Sequence, residues 1–223
     1  MFNNLVTYHV HKRAPLPAND ALAYQYILAG NGIFIRTETR FFKAIFPVAS
    51  CTVRGLEPLR HRFQLNVSRI PTGLLDSILG DARRARRPGG SRFDNGLNEV
   101  LYQFHHHGQT VQVKKPPQQA TAVSVLAPGS NDANILCDLH SHGNMSAFFS
   151  QTDDADEQAA KLYAVIGKLD TAPEIRLRVG VYGYWMSLPL TAVFTHTGPF
   201  KDLHEKRERE LELEKRVILS LLL

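Results

Sequence analysis

The most informative segment of the sequence is HSHGNMSAFFSQTD, residues 140–153. The residues before it, 135–139, are mostly apolar. This run is short and lacks the capping residues that mark the ends of a helix, which predicts a short buried strand. Alternate side chains of a strand point to the same side, so His140 and His142 project together. Asp153, at a predicted helix start, supplies a third ligand, and Asp154 is the only serious substitute for it. Three protein ligands with an open fourth position are typical of catalytic zinc, so the sequence predicts a Zn²⁺ site.

The spacing of this segment resembles the JAMM motif of the JAB/MPN metalloprotease family, a glutamate followed by H-S/T-H-x7-S-x2-D. The matching residues are His140, Ser141-His142, Ser150 and Asp153. The resemblance covers roughly residues 66–200. It implies an α/β (α+β) class with a JAB/MPN-like, cytidine-deaminase-like mixed β-sheet flanked by helices. Gly143 stands where the family usually has Pro, and glycine leaves this loop less rigid.

An upstream glutamate completes the motif. Residues 70–86 carry apolar side chains at helical spacing, and Glu99 then enters an apolar strand predicted around residues 98–105. The resemblance implies that Glu99 is the general acid and base and that Ser150 donates a hydrogen bond to the developing oxyanion. Glu57 and Glu157 are the competing candidates for the base.

The resemblance also implies a class of reaction. Family members cleave isopeptide bonds after the C-termini of ubiquitin or ubiquitin-like proteins, or process sulfur-carrier proteins and peptides. An N-terminal extension followed by a JAB core is most similar to the members found in the bacterial PRTRC cassette. The expected partners are therefore a ubiquitin-like protein or its conjugate and a ThiF-like activating enzyme.

Two other functions remain open. Asp138-Leu139-His140-Ser141-His142 also resembles the D-L-H-x-H opening of PHP phosphoesterases and amidohydrolases, which are α/β barrels. Only 81 residues follow position 142 in the 223-residue chain, whereas such a barrel typically needs roughly 200 or more. The second alternative is a non-catalytic JAB scaffold, whose usual mark is a lost ligand or glutamate.

Composition restricts the class of protein. A chain of 223 residues with 43% hydrophobic and 21% charged residues is typical of a globular protein of one or two domains. No apolar run approaches the roughly 20 residues that span a membrane, and no signal peptide is visible. Cys51 and Cys137 provide no disulfide framework, and Cys137 faces away from the two histidines. We therefore expect a cytoplasmic protein.

The net charge of +5 is modest and includes the arginine-rich stretch 83–92. Such a stretch could contact nucleic acid or an acidic protein face, or it could be a solvated helix end, where cations favour the helix dipole. No nucleic-acid motif accompanies it, so nucleic-acid binding is not expected.

The chain divides into three predicted regions. Residues 1–65 are a β-rich N-terminal region with a hairpin over 24–36 and further strands at 41–46 and 51–54. Residues 66–200 form the JAB-like domain, with a helix from 153 to about 169 and strands at 175–184 and 190–194. Residues 201–223 form a charged helix, which either packs on its own core or joins a homodimer or partner.

Two further groups of polar residues have more than one interpretation. His105-His106-His107 resemble a metal cluster, but neighbouring residues on a strand face opposite sides and cannot converge. His105 or His107 could still line the cleft. Asp138 shares the predicted face of His140, where it either orients an imidazole or lies at the sheet edge.

Overall fold

The computed structural model describes residues 4–85, 96–121, 125–127 and 132–204. The chain forms two compact units. The first comprises Met1–Ser68, Gln151–Lys161 and Val179–Met186, and the second comprises Arg69–Ser150, Leu162–Arg178 and Ser187–Leu223. Within the described ranges, no helix has the length and apolar character required to cross a bilayer.

The N-terminal part forms a five-stranded sheet in the order β1-β2-β3-β4-β5. Its strands are β1 (Val6–Val10), β2 (Tyr24–Ala29), β3 (Gly32–Glu38), β4 (Phe42–Ala49) and β5 (Arg62–Leu65). The predicted hairpin is present, with β2 antiparallel to β3 across the turn at 30–31. Alternation along β2 buries Ile27 and Ala29, which pack with Phe34 in the core of this sheet.

Two details of this sheet differ from the sequence prediction. Residues 51–54 are not a strand, because the chain turns there and Gly55 has φ +82°. Conversely, β1 was not among the predicted strands, and it pairs in parallel with β2. Its neighbour in the sheet, rather than its own sequence, fixes its strand geometry.

The first helix, α1 (Gly73–Ala82), follows Pro71 and Thr72 and is shorter than the predicted span 70–86. Its buried residues are Leu75, Ile78, Leu79 and Ala82, the i, i+3, i+4, i+7 pattern of an amphipathic helix. Arg83 is its C-cap. Most of the arginine-rich stretch lies outside the described residues.

A second sheet carries the residues of the motif. Its strands follow the order β13-β12-β11-β10-β6-β7, and β14 pairs with β12. In chain order the remaining strands are β6 (Leu101–His107), β7 (Thr110–Lys114), β8 (Gln119–Ala120), β9 (Val125–Leu126), β10 (Ile135–Ser141), β11 (Lys161–Gly167), β12 (Glu174–Val181), β13 (Tyr184–Leu188) and β14 (Lys201–Asp202). The short strands β8 and β9 form a separate pair.

The predicted helix from 153 to about 169 is wrong. The second helix, α2 (Gln151–Asp156), ends early, and β11 follows it. Residues 162–166 are all buried and pair in parallel with β10, so this apolar run is an interior strand. The acidic first turn of α2 indicated a helix start correctly, but it carries no information about helix length.

Two predictions near the C-terminus also differ from the structure. Residues 190–194 contain a 3₁₀ helix, Leu190–Ala192, instead of a strand. Lys201 and Asp202 form β14, so the predicted helix does not begin at residue 201. The remainder of that prediction, residues 205–223, lies outside the described part of the chain.

The sheet around β10 decides between the predicted fold classes. Strand β10 is parallel to β11 but antiparallel to β6, so it does not belong to an all-parallel barrel. The PHP-type alternative is therefore excluded. The described chain is a sheet-rich α+β structure, and its described residues contain only two α-helices rather than a full set of flanking helices.

Candidate metal centre

The two histidines of the motif point to the same side of the sheet, as their spacing predicts. His140 is the sixth residue of β10 and pairs with Val165 on β11, while the His142 N–H donates to the Ile166 carbonyl oxygen at 2.8 Å. The Nε2 atoms of His140 and His142 lie 3.0 Å apart, and both side chains are buried. Pairing on both sides of β10 therefore fixes the two imidazoles next to each other.

The chain turns sharply after the second histidine. The Met145 N–H donates to the His142 carbonyl oxygen at 3.0 Å, and Gly143 has φ +55° inside this turn. Proline is restricted to φ near −65°, so the proline usual in the family does not fit this backbone. The local conformation at position 143 therefore excludes proline and favours glycine.

The loop from Met145 to Ser150 is held by residues of β12. The Ala147 N–H donates to Glu174 Oε1 at 2.9 Å, and Arg176 Nε donates to the Ala147 carbonyl oxygen at 2.8 Å. Lys168 Nζ lies 3.0 Å from Glu174 Oε2. Burial alone would raise the pKa of Glu174, but the hydrogen bonds from Lys168 and Ala147 hold that pKa below its ordinary value. A charged, hydrogen-bonded carboxylate thus anchors the loop between the two halves of the motif.

Asp153 completes the group. One ligand atom from each of His140, His142 and Asp153 lies within 4.8 Å of the other two. A tetrahedral zinc ion at about 2.0–2.1 Å from each nitrogen separates two nitrogens by roughly 3.3 Å. The Nε2 separation of 3.0 Å is close to that value. Two imidazoles and one carboxylate are also the donor types that zinc prefers, so these residues fit the metal that the sequence predicts.

Glu99 lies beside this group but outside it. It is 6% exposed, and its Oε1 lies 3.8 Å from His142 Nε2, too far for a hydrogen bond. Strand β6 begins two residues later, at Leu101, so Glu99 precedes the strand in which it was predicted. The competing candidates for the base, Glu57 and Glu157, both form main-chain hydrogen bonds. The Glu57 carbonyl oxygen accepts from the Gly30 N–H and the Glu57 N–H donates to the His11 carbonyl oxygen, while the Glu157 N–H donates to the Asp153 carbonyl oxygen.

Two aromatic residues of the loop were missed by the sequence analysis. The Phe148 ring lies edge-on to the His142 ring, with centroids 4.7 Å apart, and is 44% exposed. The Arg178 guanidinium lies over the neighbouring Phe149 ring at 3.7 Å. The sequence feature that could have identified these residues is the pair of adjacent phenylalanines inside the motif. Ser150 directly precedes α2.

The other polar candidates do not belong to the group of His140, His142 and Asp153. His105 Nδ1 faces Asp132 Oδ2 at 3.1 Å, and burial, followed by the charge of Lys114, lowers the His105 pKa. Asp138 accepts a hydrogen bond from Gln103 Nε2 at 3.2 Å. Since β10 is paired on both sides, the interpretation of Asp138 as a sheet-edge residue is wrong. Cys137 is fully buried, as expected for a small core residue.

Comparison with known proteins gives an independent indication of the family. Residues 92–179 match a family model described as prokaryotic homologs of the JAB domain. The matched range includes all the residues of the motif, from Glu99 to Asp153. No curated protein sequence matches the chain significantly. The match of this region to prokaryotic JAB domains supports the JAB/MPN family.

Proposed function

We propose that the chain is a zinc-dependent hydrolase of the JAMM type that cleaves a peptide or isopeptide bond. The observation that carries the proposal is the convergence of His140, His142 and Asp153 within 4.8 Å, with the buried Glu99 carboxylate 3.8 Å from His142. Those three residues would hold the zinc. When bound there, zinc would supply Lewis-acid chemistry, lowering the pKa of water and polarising a carbonyl.

The protein's own residues would handle the protons. Glu99 would accept a proton from the attacking water at a carboxylate oxygen and then deliver it to the leaving amine. Burial suits this role, because bulk water then does not compete for the carboxylate. The Ser150 hydroxyl would donate a hydrogen bond to the carbonyl oxygen as negative charge develops on it.

The substrate is proposed from the family resemblance. JAB-family proteins include isopeptidases acting at the C-termini of ubiquitin-like proteins, and an N-terminal extension before the JAB core resembles the PRTRC cassette. The proposed substrate is therefore a ubiquitin-like protein or its conjugate, with a ThiF-like activating enzyme as a further partner. The presence of every motif residue favours an enzyme over a non-catalytic scaffold.

The test combines metal content with turnover. The purified wild-type protein should bind one zinc per chain by elemental analysis and cleave a fluorogenic C-terminal amide of a ubiquitin-like protein from the native host. Glu99→Gln should keep the zinc, because Glu99 is not a ligand, and should lower turnover by roughly 10²–10⁴-fold. The same variant, used as a trap in lysate of the native host, should retain the substrate.

Two results would overturn the proposal. A wild-type protein that binds zinc but hydrolyses none of the host's ubiquitin-like C-terminal amides would be a scaffold. Turnover of Glu99→Gln within a few-fold of the wild type, with zinc still bound, would show that another residue is the base.

A further inference from the structure

Ser141 lies between the two histidine ligands but faces away from them. Successive residues of a strand project to opposite sides, so the Ser141 side chain lies on the other face of β10. It is completely buried. A buried hydroxyl needs a hydrogen-bond partner, and the identity of that partner is informative.

The partner is the main chain next to Glu99. The Val100 N–H donates to Ser141 Oγ at 3.0 Å, and the Ser141 N–H donates to the Val100 carbonyl oxygen at 3.0 Å. The regular register between β10 and β6 extends only to the pair His140 and Leu101. One position further along, the serine side chain therefore provides the acceptor that joins the two segments.

This hydrogen bond fixes the backbone at Glu99. The Val100 N–H belongs to the peptide unit that follows Glu99, and Ser141 Oγ holds that unit. The peptide unit that precedes Glu99 is held by its N–H, which donates to the Thr121 carbonyl oxygen at 2.7 Å. With both peptide units fixed, φ and ψ of Glu99 are fixed as well, and with them the direction of the Cα–Cβ bond from which its carboxylate extends.

We propose that Ser141 is a positioning residue, whose hydroxyl oxygen fixes the Glu99 carboxylate relative to His140 and His142. One strand thus carries the two histidines on one face and the anchor of the glutamate on the other. The use of this geometry in catalysis rests on the proposed function, whereas the geometry itself can be tested without any substrate.

The structural arm of the test uses metal-free protein. In Ser141→Ala the Val100 amide loses its acceptor, so its hydrogen exchange should become about tenfold faster than in the wild type. Ser141→Thr keeps a hydroxyl and should restore slow exchange. Ser77→Ala, the same change on the exposed face of α1, is the matched control and should leave Val100 unchanged. A crystal structure of Ser141→Ala should show Glu99 displaced from His142.

The catalytic arm uses zinc-loaded protein and the fluorogenic amide. Ser141→Ala should lower kcat by about 10–100-fold through misplacement of Glu99, while KM and zinc affinity stay within a few-fold of the wild type. Ser141→Thr should recover most of kcat. If Ser141→Ala does not fold, Ser141→Cys, with a similar shape and a weaker acceptor, replaces it in both arms.

The outcomes separate the two proposals. Unchanged Val100 exchange and an unmoved Glu99 in Ser141→Ala would overturn the positioning role, even if the wild type is an active hydrolase. A fall in kcat that only parallels zinc loss or unfolding would also overturn it. Conversely, an inactive wild type with fast Val100 exchange in Ser141→Ala would reject the proposed function and leave the positioning of Glu99 supported.

Discussion

Glu99 Oε1 lies 3.8 Å from His142 Nε2, and both side chains are buried. The antiparallel pairing of β6 with β10 brings these two residues together from distant parts of the chain. A buried carboxylate near a buried imidazole costs desolvation energy, so a metal ion that neutralises the group should stabilise the fold. The proposed metal ligands, the turn and the loop around this pair each lead to a specific prediction.

The first prediction concerns the carboxylate ligand. Asp153→Ala removes one of the three proposed ligands and should weaken zinc binding by more than about 100-fold, because even an outer hydrogen-bond partner is worth 10–100-fold. Asp154→Ala, the matched control on the next residue, should bind zinc like the wild type. Competition with a chromophoric chelator measures both affinities. Loss of zinc in Asp154→Ala alone would assign the third ligand to Asp154.

The second prediction concerns the turn after His142. Gly143 has φ +55°, which proline does not adopt, so Gly143→Pro should destabilise the metal-free protein by about 3 kcal/mol or more. Gly143→Asn should cost much less, because asparagine tolerates the left-handed region. Urea denaturation gives both free energies of unfolding. Equal stability of the two variants would show that the turn readily adopts another conformation.

The third prediction concerns the close approach of the loop to β11. A Cβ at Gly167 would collide with the Met145 carbonyl oxygen and lie 2.5 Å from the Ala147 nitrogen. Gly167→Ala should therefore destabilise the fold by about 1–3 kcal/mol and weaken zinc binding, since the displaced loop leads to Asp153.

Gly80→Ala is the control for this change. Its Cβ would lie 3.6 Å from Arg84 Nη1, an ordinary contact, and alanine in a helix is preferred over glycine by about 1 kcal/mol. This variant should therefore be slightly more stable than the wild type. If Gly167→Ala behaved in the same way, the loop would not be packed on β11 in solution.

The fourth prediction is a pH dependence. The pKa of Glu174 is lower in the folded protein than in the unfolded chain. Its charge therefore stabilises the fold above its unfolded pKa of about 4.3, and this contribution disappears as the pH falls through the folded value. Glu174→Gln should lower the free energy of unfolding by about 1–2 kcal/mol at pH 7 and by much less near pH 3. An equal loss at both pH values would mean that the charge contributes nothing.

Several local elements and the common direction of the two histidines could be predicted from residues close together in the chain. The alternation of His140 and His142 follows from strand geometry, and the buried face of α1 follows from helical spacing. The hairpin predicted over 24–36 is likewise present, with its turn at Gly30 and Asn31. Each of these features depends on residues a few positions apart, so local periodicity is sufficient to predict it.

The remaining features depend on contacts between residues far apart in the chain. Residues 161–167 form a strand because β10 provides parallel backbone partners on one side, and an apolar run without periodicity does not distinguish a buried strand from a helix. Three sets of contacts join residues far apart in the chain. They are the Val100–Ser141 hydrogen bond, the hydrogen bonds of Glu174 and Arg176 with Ala147, and the approach of Glu99 to His142. Such contacts depend on which strands pair and in what register, and a local sequence pattern does not specify the pairing of distant segments.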